Sequence, residues 1–168
     1  MGNRMNPLDP PDSLHLQAAQ GWLELGSHIE ANQELEKITP ELLAHLAVLN
    51  VRWEVYASAK NWEAALHIAA ALINFAPDEP LGWVHRSYTL HELKRTAEAR
   101  DNLLLVVDKF PISTTMRYNL ACYECQLGRL DHARGWLEKA SALGGARKMQ
   151  MEALGDSDLE PLWGELKS

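Results

Sequence analysis

Apolar residues recur every three to four positions along most of the chain, and short breaks bearing Gly, Pro, Asn or Thr interrupt them. That spacing predicts amphipathic helices of about 12–14 residues, arranged in pairs. The pattern also repeats at a longer interval. Ala31, Ala65, Ala99 and Ala133 stand 34 residues apart. Leu35, Ala69, Leu103 and Leu137 keep the same register, as do Ile38, Leu72, Val106 and Ala140. Earlier in each repeat come Trp22, Tyr56, Leu90 and Glu124, then a turn position occupied by Gly26, Lys60, Lys94 and Gly128. A closing position reads Leu43, Pro77, Pro111 and Gly145. A period of this length marks stacked supersecondary units, each of which buries its apolar face only against its neighbours.

Local signals place the helix ends. Ser27-x-x-Glu30 and Ser157-x-x-Glu160 read as capping boxes, and Thr39-Pro40-Glu41 as N-cap, N1 proline and acidic first turn. The helix after Thr39 is therefore expected to be long, about 40–59. Asn61 and Thr96 are expected to cap the helices that follow them. Gly26 and Gly128 suit left-handed helix ends. Leu159, Leu162, Trp163 and Leu166 are expected to lie on the last repeat, with Asp158 and Glu165 facing outward.

The columns, together with Trp83-x-x-Arg-Ser-x-x-Leu90, Ala99, Leu103 and Pro111, and with Leu120-Ala-x-x-Glu124, Gly128, Ala133 and Leu137, resemble the tetratricopeptide repeat (TPR). The resemblance implies an all-α chain, an α-solenoid of four TPR-like helix–turn–helix repeats curved as a right-handed superhelix with a C-terminal capping helix. The organisation expected is an N-terminal tail over 1–11, repeats over 12–45, 46–79, 80–113 and 114–147, and a capping segment over 148–168. The ending Ala153-Leu-Gly-Asp-Ser-Asp-Leu-Glu-Pro-Leu-Trp163 is similar to that of small bacterial TPR proteins of unassigned function.

Composition agrees with helices. Leu (27) and Ala (21) far outnumber Val and Ile (11 together), which disfavours an all-β fold. The net charge of −7 falls entirely within residues 1–79, and 80–168 balance. An acidic half argues against nucleic acid, which needs a basic footprint. No apolar run reaches the ~18–20 residues of a membrane span. The first thirteen residues lack the apolar core of a signal peptide, so the expectation is a cytoplasmic protein.

In the resembled family, the first helices of successive repeats line a peptide-binding groove. Carried over by column, the groove positions include Leu16, Asn50, Val84 and Tyr118; Gln20, Glu54, Tyr88 and Cys122; Leu23, Ala57, His91 and Cys125; and Glu24, Ser58, Glu92 and Gln126. The residues singled out for contact are Glu54, His85, Tyr88, His91, Glu92, Tyr118, Asn119 and Cys122. The upper column holds no Lys or Arg, which removes the carboxylate clamp of heat-shock co-chaperones. The expected partner is a protein or peptide, basic or apolar, with a second copy of the chain as a further candidate. A dedicated chaperone for a secreted or assembling subunit is one alternative.

Another is a zinc or thiol module on Cys122 and Cys125, with His91 or His85 approaching. A single Cys-x-x-Cys in mid-helix is weak evidence for either chemistry. No His-Glu-x-x-His, Gly-rich phosphate loop or nucleophile elbow is present. The reading is therefore non-enzymatic, with no cofactor and no metal. Arg52 and Arg86 share a column expected to point into the helical pair, each snorkelling past the core to solvent or to an acid, with Glu63 and Asp101 as candidate partners, or donating to a bound partner from the groove edge. Trp22 and Trp83 are expected in the core.

Overall fold

The computed structural model describes residues 6–167, and the first five residues of the expected N-terminal tail lie outside them. Among the described residues the chain is helical without strands. The helices are α1 (Asp12–Glu24), α2 (His28–Leu35), α3 (Leu46–Ser58), α4 (Trp62–Phe75), α5 (Pro80–Glu92), α6 (Thr96–Leu104), α7 (Thr114–Gln126), α8 (Leu130–Gly144), α9 (Ala146–Gly155) and α10 (Trp163–Leu166). Short 3-10 turns cover Pro40–Leu42, Val107–Lys109 and Ser157–Leu162. Two compact units result, Met1–His85 and Arg86–Ser168, and the division falls inside α5.

In the first unit α1 packs on α2, α2 on α3 and α3 on α4. Its core joins Ala19, Ala31, Leu35, Ile38, Val48, Val51 and Val55, flanked by Leu8, Leu16, Leu23 and Leu42. A second cluster joins Trp53, Ala65 and Ala69. Gly82 on α5 lies so close to α4 that a Cβ there would stand 2.9 Å from the Ile73 amide nitrogen, so only glycine permits this approach. In the second unit α6 packs on α7, α7 on α8 and α8 on α9, and the 157–162 turn lies against α7.

The period of the sequence is present in the backbone. Ala31, Ala65, Ala99 and Ala133 are all fully buried, the small side chain letting one helix approach its neighbour. Each first helix ends in the same pair of bonds. Gly26, Lys60, Lys94 and Gly128 donate their amides to the carbonyls of Leu23, Ala57, His91 and Cys125 at 2.8–3.0 Å. The next amides, of Ser27, Asn61, Arg95 and Arg129, reach Trp22, Tyr56, Leu90 and Glu124 at 2.8–2.9 Å. This is the Schellman turn, which requires a left-handed residue. Gly26 and Gly128 have φ of 76° and 75°, and Lys60 and Lys94 adopt 54° and 63° despite their Cβ atoms. Lys94→Gly is therefore expected to raise stability by about 0.5–1 kcal/mol, the left-handed penalty exceeding the added chain entropy. Urea unfolding checks it, and a lower midpoint would refute it.

Several local expectations fail, and at Thr39 and Thr96 another partner claims the hydroxyl. The helix expected over 40–59 breaks after Leu42. Thr39 gives its amide (2.7 Å) and hydroxyl (3.1 Å) to the Asp12 carboxylate instead of capping. His45 caps α3 instead: Nδ1 accepts from the Ala47 amide at 3.2 Å, and Nε2 donates to the Asn6 carbonyl at 2.7 Å. Asn61 caps α4 as expected, accepting from Ala64 at 3.3 Å. Ser27 stands at its N-cap position without a side-chain bond. Thr96 is the first helical residue, and Arg95 precedes it as N-cap. Asp156, not Ser157, caps the last 3-10 turn, accepting from Asp158.

Two core expectations are also corrected. Arg86 is exposed, and Asp101 pairs with Arg100 at 2.6 Å. The column that turns inward is one residue further on, Ala19, Trp53, Ser87 and Ala121, all buried. Trp22 is 38% exposed, whereas Trp53 is the buried tryptophan. Trp83 is partly buried and donates from Nε1 to the Pro77 carbonyl at 3.0 Å.

Candidate functional site

The singled-out residues fall into two places. Glu54 and His85 belong to the first unit. On α3, Asn50 and Glu54 share a face at i, i+4, and the Asn50 amide donates to Glu54 at 2.9 Å. His85 Nε2 meets Asn50 Oδ1 at 2.7 Å, and its ring stacks on Trp53 with centroids 3.6 Å apart and planes 9° apart. Burial lowers the His85 pKa to about 4, so the imidazole is neutral at pH 7 and Nε2–H donates. Burial raises the Glu54 pKa, partly offset by the Asn50 amide. The result is a fixed polar chain, His85 to Asn50 to Glu54, beside a mainly apolar cleft of about 340 Å3 lined by Leu46, Ala47, Leu72, Ala76 and Leu81.

The other six residues lie in the second unit, on the end of α5 and on α7. Tyr118, Cys122 and Gln126 form one stripe of α7 at i, i+4, i+8. The chain's own residues after α9 lie across this stripe. Tyr118 donates its hydroxyl to Asp156 Oδ2 at 3.1 Å, and the Cys122 thiol donates to the same oxygen at 3.5 Å. His91 Nε2 pairs with Asp158 Oδ2 at 2.9 Å, while its Nδ1 meets the Thr96 hydroxyl at 2.9 Å. Gln126 donates to the Asp158 carbonyl at 2.9 Å. Beside these polar contacts Leu159 and Leu162 are buried, at 0% and 1% exposure. The expectation that Asp158 faces outward is thus corrected: its carboxylate is drawn in by His91. Glu165 does reach the outer surface, where both its oxygens meet Arg134 at 2.6–2.7 Å.

Tyr88 is 40% exposed, and Glu92 and Asn119 are partly exposed on the same two helices. The Tyr88 phenol is pushed up by burial, then by the charge of Glu92 and a hydrogen bond to it. Burial also pushes up Tyr118 and Cys122, and Asp156 adds to both. Cys125 is pushed up by burial too. Both shifts favour the thiol over the thiolate, which is the nucleophile in thiol exchange. Among the described residues no group of three or more His, Cys, Asp or Glu is placed to hold a metal ion.

Sequence reasoning missed Asp156 as a groove residue. The signal was the period, since Asp156 lies 34 residues beyond Cys122. It also missed Glu124, a buried carboxylate whose Oε2 lies 3.7 Å from Arg129 and 3.9 Å from His132 without a hydrogen bond.

Paired helices, the buried alanine column and the repeated Schellman turn define a TPR-like fold of the α-solenoid class. Solved structures share it. "MamA RS-1 ArsTM double mutant" matches with a TM-score of 0.68 at 14% identity, over 82% of this chain and 77% of that one. "MamA MSR-1 C2" matches with a TM-score of 0.65 at 17% identity, over 83% of this chain and 82% of that one. MamA is itself TPR-like. No family model and no curated protein matches the sequence. Among the described residues no helix is long and apolar enough to cross a membrane.

Proposed function

We propose that the chain is a non-enzymatic interaction scaffold that takes a protein segment on the exposed face of α5 and α7. The observation that carries this reading is the segment already lying there: side chains from two helices hold a 3-10 turn by its carboxylates and a carbonyl, and two of its leucines are buried. Preformed helices carry these contacts, so little ordering cost falls on the receptor. The groups being held are acidic and apolar. That shifts the expected partner away from a basic segment, because His91, Tyr118, Cys122 and Gln126 all donate here. Tyr88, Glu92 and Asn119 extend the surface beyond the part the chain itself covers.

Tyr88→Ala with Asn119→Ala removes accessible side chains and leaves the buried positions untouched. A partner captured from native lysate by the wild-type chain should be reduced at least about tenfold in the double variant, as expected when an exposed aromatic anchor is lost. The melting temperature should not change. Full capture by a folded double variant would place the contact surface elsewhere.

A further inference from the structure

The segment over α7 has the properties of a docked ligand rather than of a helix that holds itself. Ser157–Leu162 is a six-residue 3-10 turn with Pro161 inside it. Such a turn has poor hydrogen-bond geometry, and proline removes one donor, so the surface beneath sets its shape. Its outward residues, Ser157, Glu160 and Pro161, are exposed. Its inward ones form a compact pattern: a carboxylate at Asp156, a carboxylate and a carbonyl at Asp158, and leucines at 159 and 162. Each polar element of that pattern has its own donor on α5 or α7. The rim contact between Arg134 and Glu165 is exposed and adds little.

We infer that this face of α5 and α7 is a recognition site for Asp-x-Asp-Leu-x-x-Leu segments, and that residues 156–162 are its resident ligand, which a partner protein carrying the same acidic, leucine-bearing pattern displaces. The inference rests on the scaffold reading and deepens it by naming the partner's chemistry and the step that precedes its binding. Displacement requires no rearrangement of α7. Release of 156–162 frees the polar groups of His91, Tyr118, Cys122 and Gln126 and vacates the space of the two leucines, Leu162 lying beside Leu137 of α8. Tethered in the same chain, the resident segment competes at an effective concentration of about a millimolar, so a free partner segment binds weakly until the tether is loosened.

The probe is an acetylated, fluorescein-labelled peptide of residues 153–167, titrated against full-length chains by anisotropy. The chain carrying Asp156→Ala, Asp158→Ala and Leu159→Ala should bind it at least about thirtyfold more tightly than wild type, because the tethered competitor is gone. Adding Tyr118→Phe and His91→Gln should cost about tenfold of that gain, and a peptide with Lys at both Asp positions should not bind. Equal affinity for the released and wild-type chains would overturn the inference, leaving 156–162 as a fixed cap. A dimer of wild-type chains that forms by exchanging 156–162, seen by light scattering, would also overturn it in favour of a second copy as occupant.

If the released chain does not fold, hydrogen exchange of the wild type decides. Amides of 159–166 exchanging while α7 stays protected support displacement, and exchange together with α7 overturns it. A chain that binds the peptide yet captures no foreign protein overturns the scaffold reading but not the specificity. Partner capture unaffected by release of the segment overturns this inference alone.

Discussion

Trp53→Ala is expected to cost about 3–5 kcal/mol, the largest effect of any single substitution proposed. Trp53 occupies the inward column in which Ala19, Ser87 and Ala121 are the other members, so a large ring stands where the repeat normally has a small residue. Its counterpart is Ala69, which stands where the other repeats carry Leu35, Leu103 and Leu137. The two pack in one cluster with Ala65. One repeat has thus exchanged large for small within one cluster, offsetting part of the ring's added volume. Ala69→Leu in the Trp53→Ala background should return about 1–2 kcal/mol by refilling the space. In the wild type the same substitution should destabilise by overpacking. A double variant no more stable than Trp53→Ala, measured by chemical unfolding, would show that the two positions do not share volume.

His85 sets the second large expectation. Its folded pKa is about 4 against an ordinary 6.5, because burial opposes the charge. Between those values the unfolded chain binds a proton that the folded chain does not. The stability from neutral His85 is therefore fully present above pH 6.5 and is lost progressively as pH falls towards 4. The loss approaches about 3 kcal/mol. For a chain of this size that is a fall of roughly 6–12 °C in melting temperature. His85→Gln keeps an amide donor in reach of Asn50 and cannot titrate, so it should flatten the profile over this window. Glu34 and Glu165, whose pKa values are lowered by their partners, titrate alike in both chains and cancel. The same slope in both proteins would refute the assignment.

Helical class and the 34-residue period were legible because they rest on spacing. A buried alanine column and a left-handed turn position leave marks that survive almost any change around them. Capping was less legible. Thr39 and Thr96 have the right side chains, but Asp12 and His91 claim their hydroxyls. No local pattern reveals a competitor 27 residues away. Reading one column off by a residue put Arg86 inside, where the inward position is Ser87. At the site, the α5 and α7 residues were found from register, whereas the groups they hold were not. Asp158 looked solvated because acidic residues near Gly and Pro usually are, and only the fold brings it to His91.

The four turns have a consequence of their own. Each is closed by main-chain amides and carbonyls, so the joint between helices asks for a backbone conformation and hardly for a side chain. Lysine fills it twice where glycine fills it twice. A chain whose corners are written in peptide groups can change most of its letters and keep its bends. Such a protein is free to respecify what it holds without redesigning how it folds.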